Sequence, residues 1–199
     1  MNTPVRVPSM GGPLIVVPRS ALAAWGGCTP EALILGGSGP DGTGGPDGSG
    51  PDGTGGPDGT GGPDDYDRAC EVEGWAETIA LRGSRLRALV LGGEPATTCY
   101  LPEHRVFVRW TGGYDWDEQL SAVGGLLADP ATVWEECGSW ETDGPAVLMD
   151  SAEAGTDLGV PYPDGGGIPD EAPVPLPAGR WRVRSEVTGG LLQLLPVNR

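Results

Sequence analysis

Few residues in this chain have the types and spacing that catalysis needs. Cys99 and His104 stand five apart and could in principle form a thiolate–imidazole dyad. If they flank a hairpin turn, however, the cysteine faces the sheet while the histidine sits in solvent. His104 is also the only histidine, so a serine triad would have to use it, and no G-x-S-x-G elbow exists. The acidic pairs Asp64–Asp65, Asp115–Asp117 and Glu135–Glu136 could each supply a glycosidase acid and base. Carboxylates this numerous more often form a solvated face. With no lysine in the chain, a Walker A loop, a Schiff base and a lysine general base are excluded. Cys28, Cys70, Cys99 and Cys137 contain no C-x-x-C pair and lack supporting histidines, which argues against zinc and for free thiols in a reducing compartment.

A second group of residues points to binding. Aromatics stand beside acids in Tyr114–Asp115–Trp116–Asp117–Glu118, in Trp134–Glu135–Glu136 and in Trp140–Glu141. Such aromatics are common hot spots, and acidic surroundings steer a basic partner into place. Tyr114 and Trp116 are the two expected at the surface. Trp134 and Trp140 share parity on a regular strand and are expected in the core. The charge balance agrees, since 12 arginines face 28 acids for a net charge of −16, unfavourable for nucleic acid or an anionic membrane. The expected contact residues are Tyr114, Asp115, Trp116, Asp117 and Glu118, with Glu135 and Glu136 second. No catalytic residue, cofactor site or metal site is expected.

The elements that position these residues are short. Pro13 to Val17 reads as a buried strand, and Ser20 as the cap of a short helix from Ala21 to Trp25. Asp64 should cap a helix from Asp65 to about Val72. Thr78–Leu81 with Leu86–Leu91, and Thr97–Leu101 with Arg105–Trp110, read as strand pairs. Asp115 and Glu118 have capping-box spacing, and Leu120, Val123 and Leu127 give the following helix one buried face. Gly124 and Gly125 inside that helix suggest close packing against a neighbour. Thr132–Trp140, Ala146–Asp150, Arg180–Val187 and Leu191–Leu195 complete the strands, with Ala154–Gly179 as a long ordered loop. The expected class is α+β, with about eight short, mostly antiparallel strands and about three short helices.

Glycine (36) and proline (21) are abundant, and much of the excess is a repeat. From Gly36 the chain reads GGSGPDGTGGPDGSGPDGTGGPDGTGGPD. Without apolar side chains other than proline, the repeat cannot offset its ordering entropy and is expected to be disordered. Gly37–Gly42 fits G-x-G-x-x-G, but further repeats follow where a nucleotide-binding motif must open a helix. Each repeat carries one carboxylate, too few for an EF-hand-like calcium loop. The expected organisation is therefore one domain formed by residues 1–35 and 64–199, interrupted by an insert at 36–63. The longest apolar run of the N-terminal stretch, Leu14–Val17, is too short for a signal core or membrane span, so a cytoplasmic location is expected.

Several segments together resemble a known family. Gly11–Pro18 resembles the opening strand of the immunity protein 21 family of bacterial polymorphic toxin systems, and Asp65–Cys70 (DYDRAC) resembles its Asp-Tyr-Asp-Arg-Ala-Cys helix. Ala88–Pro95, Val106–Trp110, Val147–Ala152 and Leu176–Val183 follow in that family's order. The Leu176–Val183 ending also resembles the competence protein J family of nuclease inhibitors. The resemblance implies an inhibitor rather than an enzyme, one that binds and neutralises a cognate toxin. The acidity makes a basic toxin, such as a nuclease, the expected partner. A scaffold or regulatory binding module and a carboxylate-dependent hydrolase are the competing readings.

Overall fold

A computed structural model of the chain describes residues 4–28, 63–110, 112 and 115–197. The expected insert at 36–63, except Pro63, and Tyr114 therefore lie outside the described residues. The eleven described strands form two antiparallel sheets. The first, sheet A, has the order β1 (Arg6–Val7), β5 (Thr98–Leu101), β6 (Val106–Arg109), β11 (Leu191–Pro196), β10 (Gly179–Glu186) and β7 (Trp134–Thr142). Sheet B has the order β3 (Ala76–Ala80), β4 (Arg87–Leu91), β2 (Leu14–Pro18), β8 (Ala146–Asp150) and β9 (Glu171–Val174). Three helices accompany them: a 3-10 helix (Arg19–Ala24), α1 (Asp65–Cys70) and α2 (Trp116–Ala128). The class is α+β, as expected.

Side-chain alternation builds four layers. On β2, Leu14 and Val16 point to the core between the sheets, where Leu89, Leu91 and Leu148 meet Phe107, Trp140, Trp181 and Leu194. Ile15 and Val17 point the other way, onto Ala21 and Trp25 around the 3-10 helix and Ala69 of α1. Tyr100 and Phe107 are likewise inward on β5 and β6, while Cys99, Leu101, Val106 and Val108 face outward beneath α2. A strand buried on both faces needs a continuous apolar run, which is why Leu14–Val17 does not alternate with polar residues. Trp25 and Trp140 are almost fully buried, and each contributes about 4–6 kcal/mol of transfer free energy, at ~25 cal/mol per Å² over some ~200 Å². Both indoles donate to carbonyls, Trp25 to Ser151 at 3.0 Å and Trp140 to Arg87 at 2.8 Å.

Local details depart from the sequence reading. Ser20 caps nothing; its hydroxyl donates to the Asp143 carboxylate, and Pro18 occupies the cap position. β9 lies inside the stretch expected to be a loop, and its Pro173 is tolerated because the strand is at a sheet edge. The described strands number eleven against about eight expected, and β1 and β9, both short, have no counterpart among the strand segments read from the sequence. Trp134 and Trp140 do not share a face. Between Arg182 and Arg184 the partner strand advances from Ser139 to Glu136, an extra residue accommodated where Gly138 has φ +87°. That bulge turns Trp140 into the intersheet core and Trp134 outward toward α2.

Candidate partner-binding surface

Helix α2 begins where the sequence placed it. The Asp115 carboxylate accepts the Asp117 N–H at 2.9 Å, one position short of the capping box expected with Glu118. Asp117 and Glu118 fill the first turn, where carboxylates are favoured by the helix dipole. Trp116, expected at the surface, is 9% exposed and packs with Val123, Cys99, Leu101, Val108 and Leu191. The reason is spacing. Trp116, Leu120, Val123 and Leu127 recur at intervals of four, three and four, so the tryptophan heads the buried stripe rather than the acidic face. The Arg6 guanidinium sits 5.1 Å from the Trp116 ring centroid and 3.9 Å from the Asp117 carboxylate.

The helix is a ridge between two grooves, and a first-turn carboxylate stands on each flank. On one side Asp117 and Leu120 border a groove of about 920 Å³ with Glu103, Val5, Tyr100 and Pro173. On the other, Glu118, Ala122 and Leu126 border a groove of about 510 Å³ with Glu186, Thr188 and Leu191. Gly124 and Gly125 meet no neighbouring atom within 4 Å of a built Cβ, so they do not mark the close packing expected of them. They belong to the open crest of the ridge.

Glu135 and Glu136 are not part of that ridge. They lie on β7, at the opposite edge of sheet A from β1, whose Arg6 covers Trp116. Glu136 faces Arg182 at 3.5 Å, and the neighbouring Arg184 lies over the Trp134 ring at 4.1 Å while donating to Gln193. This edge alternates charges, whereas the first turn of α2 concentrates one sign.

Residues that the sequence reading did not single out hold the ridge in place. Gln119 donates from its side-chain amide to the Arg109 carbonyl at 2.7 Å. The Arg109 guanidinium, buried, donates to the Glu94 carbonyl at 2.7 Å, and its backbone N–H to Gly190. Arg109 thus joins α2, the loop at Glu94 and the turn before β11. Burial lowers its pKa from the ordinary arginine value. Only its position at the end of an apolar strand, Val106–Phe107–Val108–Arg109, hinted at this in the sequence.

The groups that could have done chemistry have other roles. Cys99 is wholly buried under α2, and burial pushes its thiol up to about 11, so it is protonated at neutral pH and a poor nucleophile. Asp64 caps α1 by accepting the Asp67 N–H, and Asp65 is bound by two arginines. Asp150, whose carboxyl is raised by burial, accepts the Met10 and Ala152 N–H groups. Among the described residues no cluster of three His, Cys, Asp or Glu could hold a metal ion, and no helix is long and apolar enough to cross a membrane.

Compared with known proteins, the chain matches a family model described as immunity protein 21 over residues 6–189. No curated protein and no solved structure matches the chain.

Proposed function

The chain belongs to the immunity protein 21 family, and from that premise we propose that it neutralises a cognate bacterial toxin by covering a basic surface of that toxin with the α2 ridge. The observation that carries the reading is the first turn of α2. Asp115, Asp117 and Glu118 project from a helix that Trp116 anchors and Gln119 ties to the sheet. Carboxylates held on a rigid element need no ordering on binding, which lowers the cost of association.

Charge sets the kinetics. A chain at −16 attracts a basic partner over distances beyond a Debye length of about 8 Å only weakly in physiological salt, but strongly at low ionic strength. Capture should therefore be fast and salt-dependent. A nuclease is the most fitting target, since its phosphate-binding surface would accept carboxylates in place of phosphates. Tyr114 belongs to the same segment, and Glu135 and Glu136 form a second, weaker contact because Arg182 already offsets Glu136. The protein acts as a binding partner rather than an enzyme, in the cytoplasm, a location that suits the unoxidised thiols of Cys70, Cys99 and Cys137.

Co-expression tests the proposal. An immunity gene should lie directly downstream of its toxin's gene, and cells producing that upstream toxin domain should survive when this chain is present and die when it is absent. Equal killing in both cases removes the immunity reading.

A further inference from the structure

Of the two grooves beside α2, the smaller is an apolar slot with charged lips and no cation of its own. Ala122, Leu126 and Leu191 line it, and Glu118 and Glu186 border it. Leu126 is 41% exposed. The carbonyl of Leu126 accepts the Thr132 hydroxyl, which brings Val133 and, through a backbone hydrogen bond, Val187 alongside; these are 60% and 44% exposed. Glu186 is preset, accepting both the backbone N–H and the hydroxyl of Thr188. Among the described residues no arginine lies within 4.0 Å of Glu118 or Glu186, whereas Asp117 on the other flank already has Arg6 at 3.9 Å.

We propose that this groove seats one long basic side chain of the toxin, arginine or lysine, with its aliphatic stem on Leu126, Ala122 and Leu191 and its charged head between Glu118 and Glu186. The inference rests on the immunity reading above and names the chemistry of one contact within it. An apolar floor below two carboxylates matches the amphipathic build of those side chains, which bury a hydrocarbon stem while the head stays polar. A second copy of this chain is a poor occupant. It would bring another net charge of −16 to an acidic slot.

The test measures binding of the purified upstream toxin domain at low and moderate salt. The double variant Glu118→Gln/Glu186→Gln keeps the side-chain shapes and leaves an acceptor for Thr188. It should bind at least tenfold more weakly, mainly through faster dissociation, and with a flatter salt dependence. Leu126→Ser should weaken binding as well, while Glu77→Gln/Glu171→Gln, on exposed positions of sheet B, should change it less than twofold. Melting curves establish that each variant is folded. If the wild type binds and protects but the double variant is within twofold of it, the groove assignment is wrong and the immunity reading stands. If the wild type does not bind, both fall. A wild-type dimer that Leu126→Ser converts to monomers would make the groove a self-interface and overturn the proposal.

Discussion

The Asp65 carboxylate accepts the Gly26 N–H at 2.8 Å, joining α1 to the chain that follows the 3-10 helix, on the two sides of the Gly-Pro-Asp repeat. Next to it, the Tyr66 N–H donates to the Gly27 carbonyl at 3.3 Å. Asp65 is 4% exposed and also pairs with Arg68 at 2.7 Å and Arg82 at 3.2 Å. One carboxylate therefore ties together the two ends of the stretch that carries the Gly-Pro-Asp repeat, Gly27 to Asp64.

Asp65→Asn should destabilise the protein by about 2–3 kcal/mol. Breaking a buried ion pair costs ~3–5 kcal/mol, reduced here because Arg82 is largely exposed and the amide oxygen can still accept from Gly26. Urea unfolding measures this. A loss below about 0.5 kcal/mol would show that the closure does not depend on the charge.

Deleting residues 36–62 should leave the fold and toxin protection intact and raise stability by about 1 kcal/mol. Each halving of a closed loop returns ~0.6 kcal/mol, and the stretch between Gly26 and Asp65 would shrink from 38 to 11 residues. Thermal melting and co-expression read the two effects. Loss of protection with an unchanged melt would assign the repeat a binding role.

The capped helices and the alternating strands could be read from the sequence because their signals are local. Asp64 three residues before Asp67, and Asp115 at the head of α2, act within one turn. Features set by partners were harder to see. Gly138 was an ordinary strand glycine until its φ of +87° and the Arg182–Arg184 register showed a bulge, and with it the opposite facing of Trp134 and Trp140. β9 was hidden by its own proline, permitted because no described strand pairs with its outer edge. Trp116 could have been placed correctly, since its spacing to Leu120, Val123 and Leu127 was on the page; its acidic neighbours drew it to the surface. The grooves combine Glu118 with Glu186 and Asp117 with Glu103, pairs distant in sequence that no periodicity links.

Trp116→Ala should cost about 3–5 kcal/mol, the usual loss for a large aromatic removed from a packed site, and should weaken toxin binding only through the disturbed helix. Trp116→Phe should cost under about 1.5 kcal/mol and leave affinity nearly unchanged. If Trp116→Phe abolished binding without loss of stability, the indole would be a direct contact rather than an anchor.

Asp117→Asn should leave stability within about 0.5 kcal/mol, since the side chain is 87% exposed and its ion pair with Arg6 is long. Its effect belongs to association: the on-rate should fall several-fold at low salt and less at 0.3 M. Glu136→Gln should slow association less, because Arg182 at 3.5 Å, with Arg184 beside it, offsets that charge more fully than Arg6 at 3.9 Å offsets Asp117. Stopped-flow binding to the toxin domain compares the two. An equal or larger effect for Glu136→Gln would move the contact surface to the β7 edge.

Cys99 links the site to the pH dependence of stability. Its thiol is raised from 9.0 to about 11 by burial beneath α2. A folded-state pKa above the unfolded one means that the native state holds the proton more tightly. The contribution of Cys99 is therefore fully present below pH 9 and is lost as the pH rises through 11. The wild type should lose stability relative to Cys99→Ala across that window, which urea titrations at pH 8, 9, 10 and 11 resolve. Alkylation at pH 8 supplies an independent check: Cys70, exposed on α1, should react quickly, while Cys99 should react only as fast as the protein opens. Rapid labelling of Cys99 in a folded sample would mean that α2 lifts from the sheet, and a ridge that lifts could not serve as the rigid surface proposed for toxin capture.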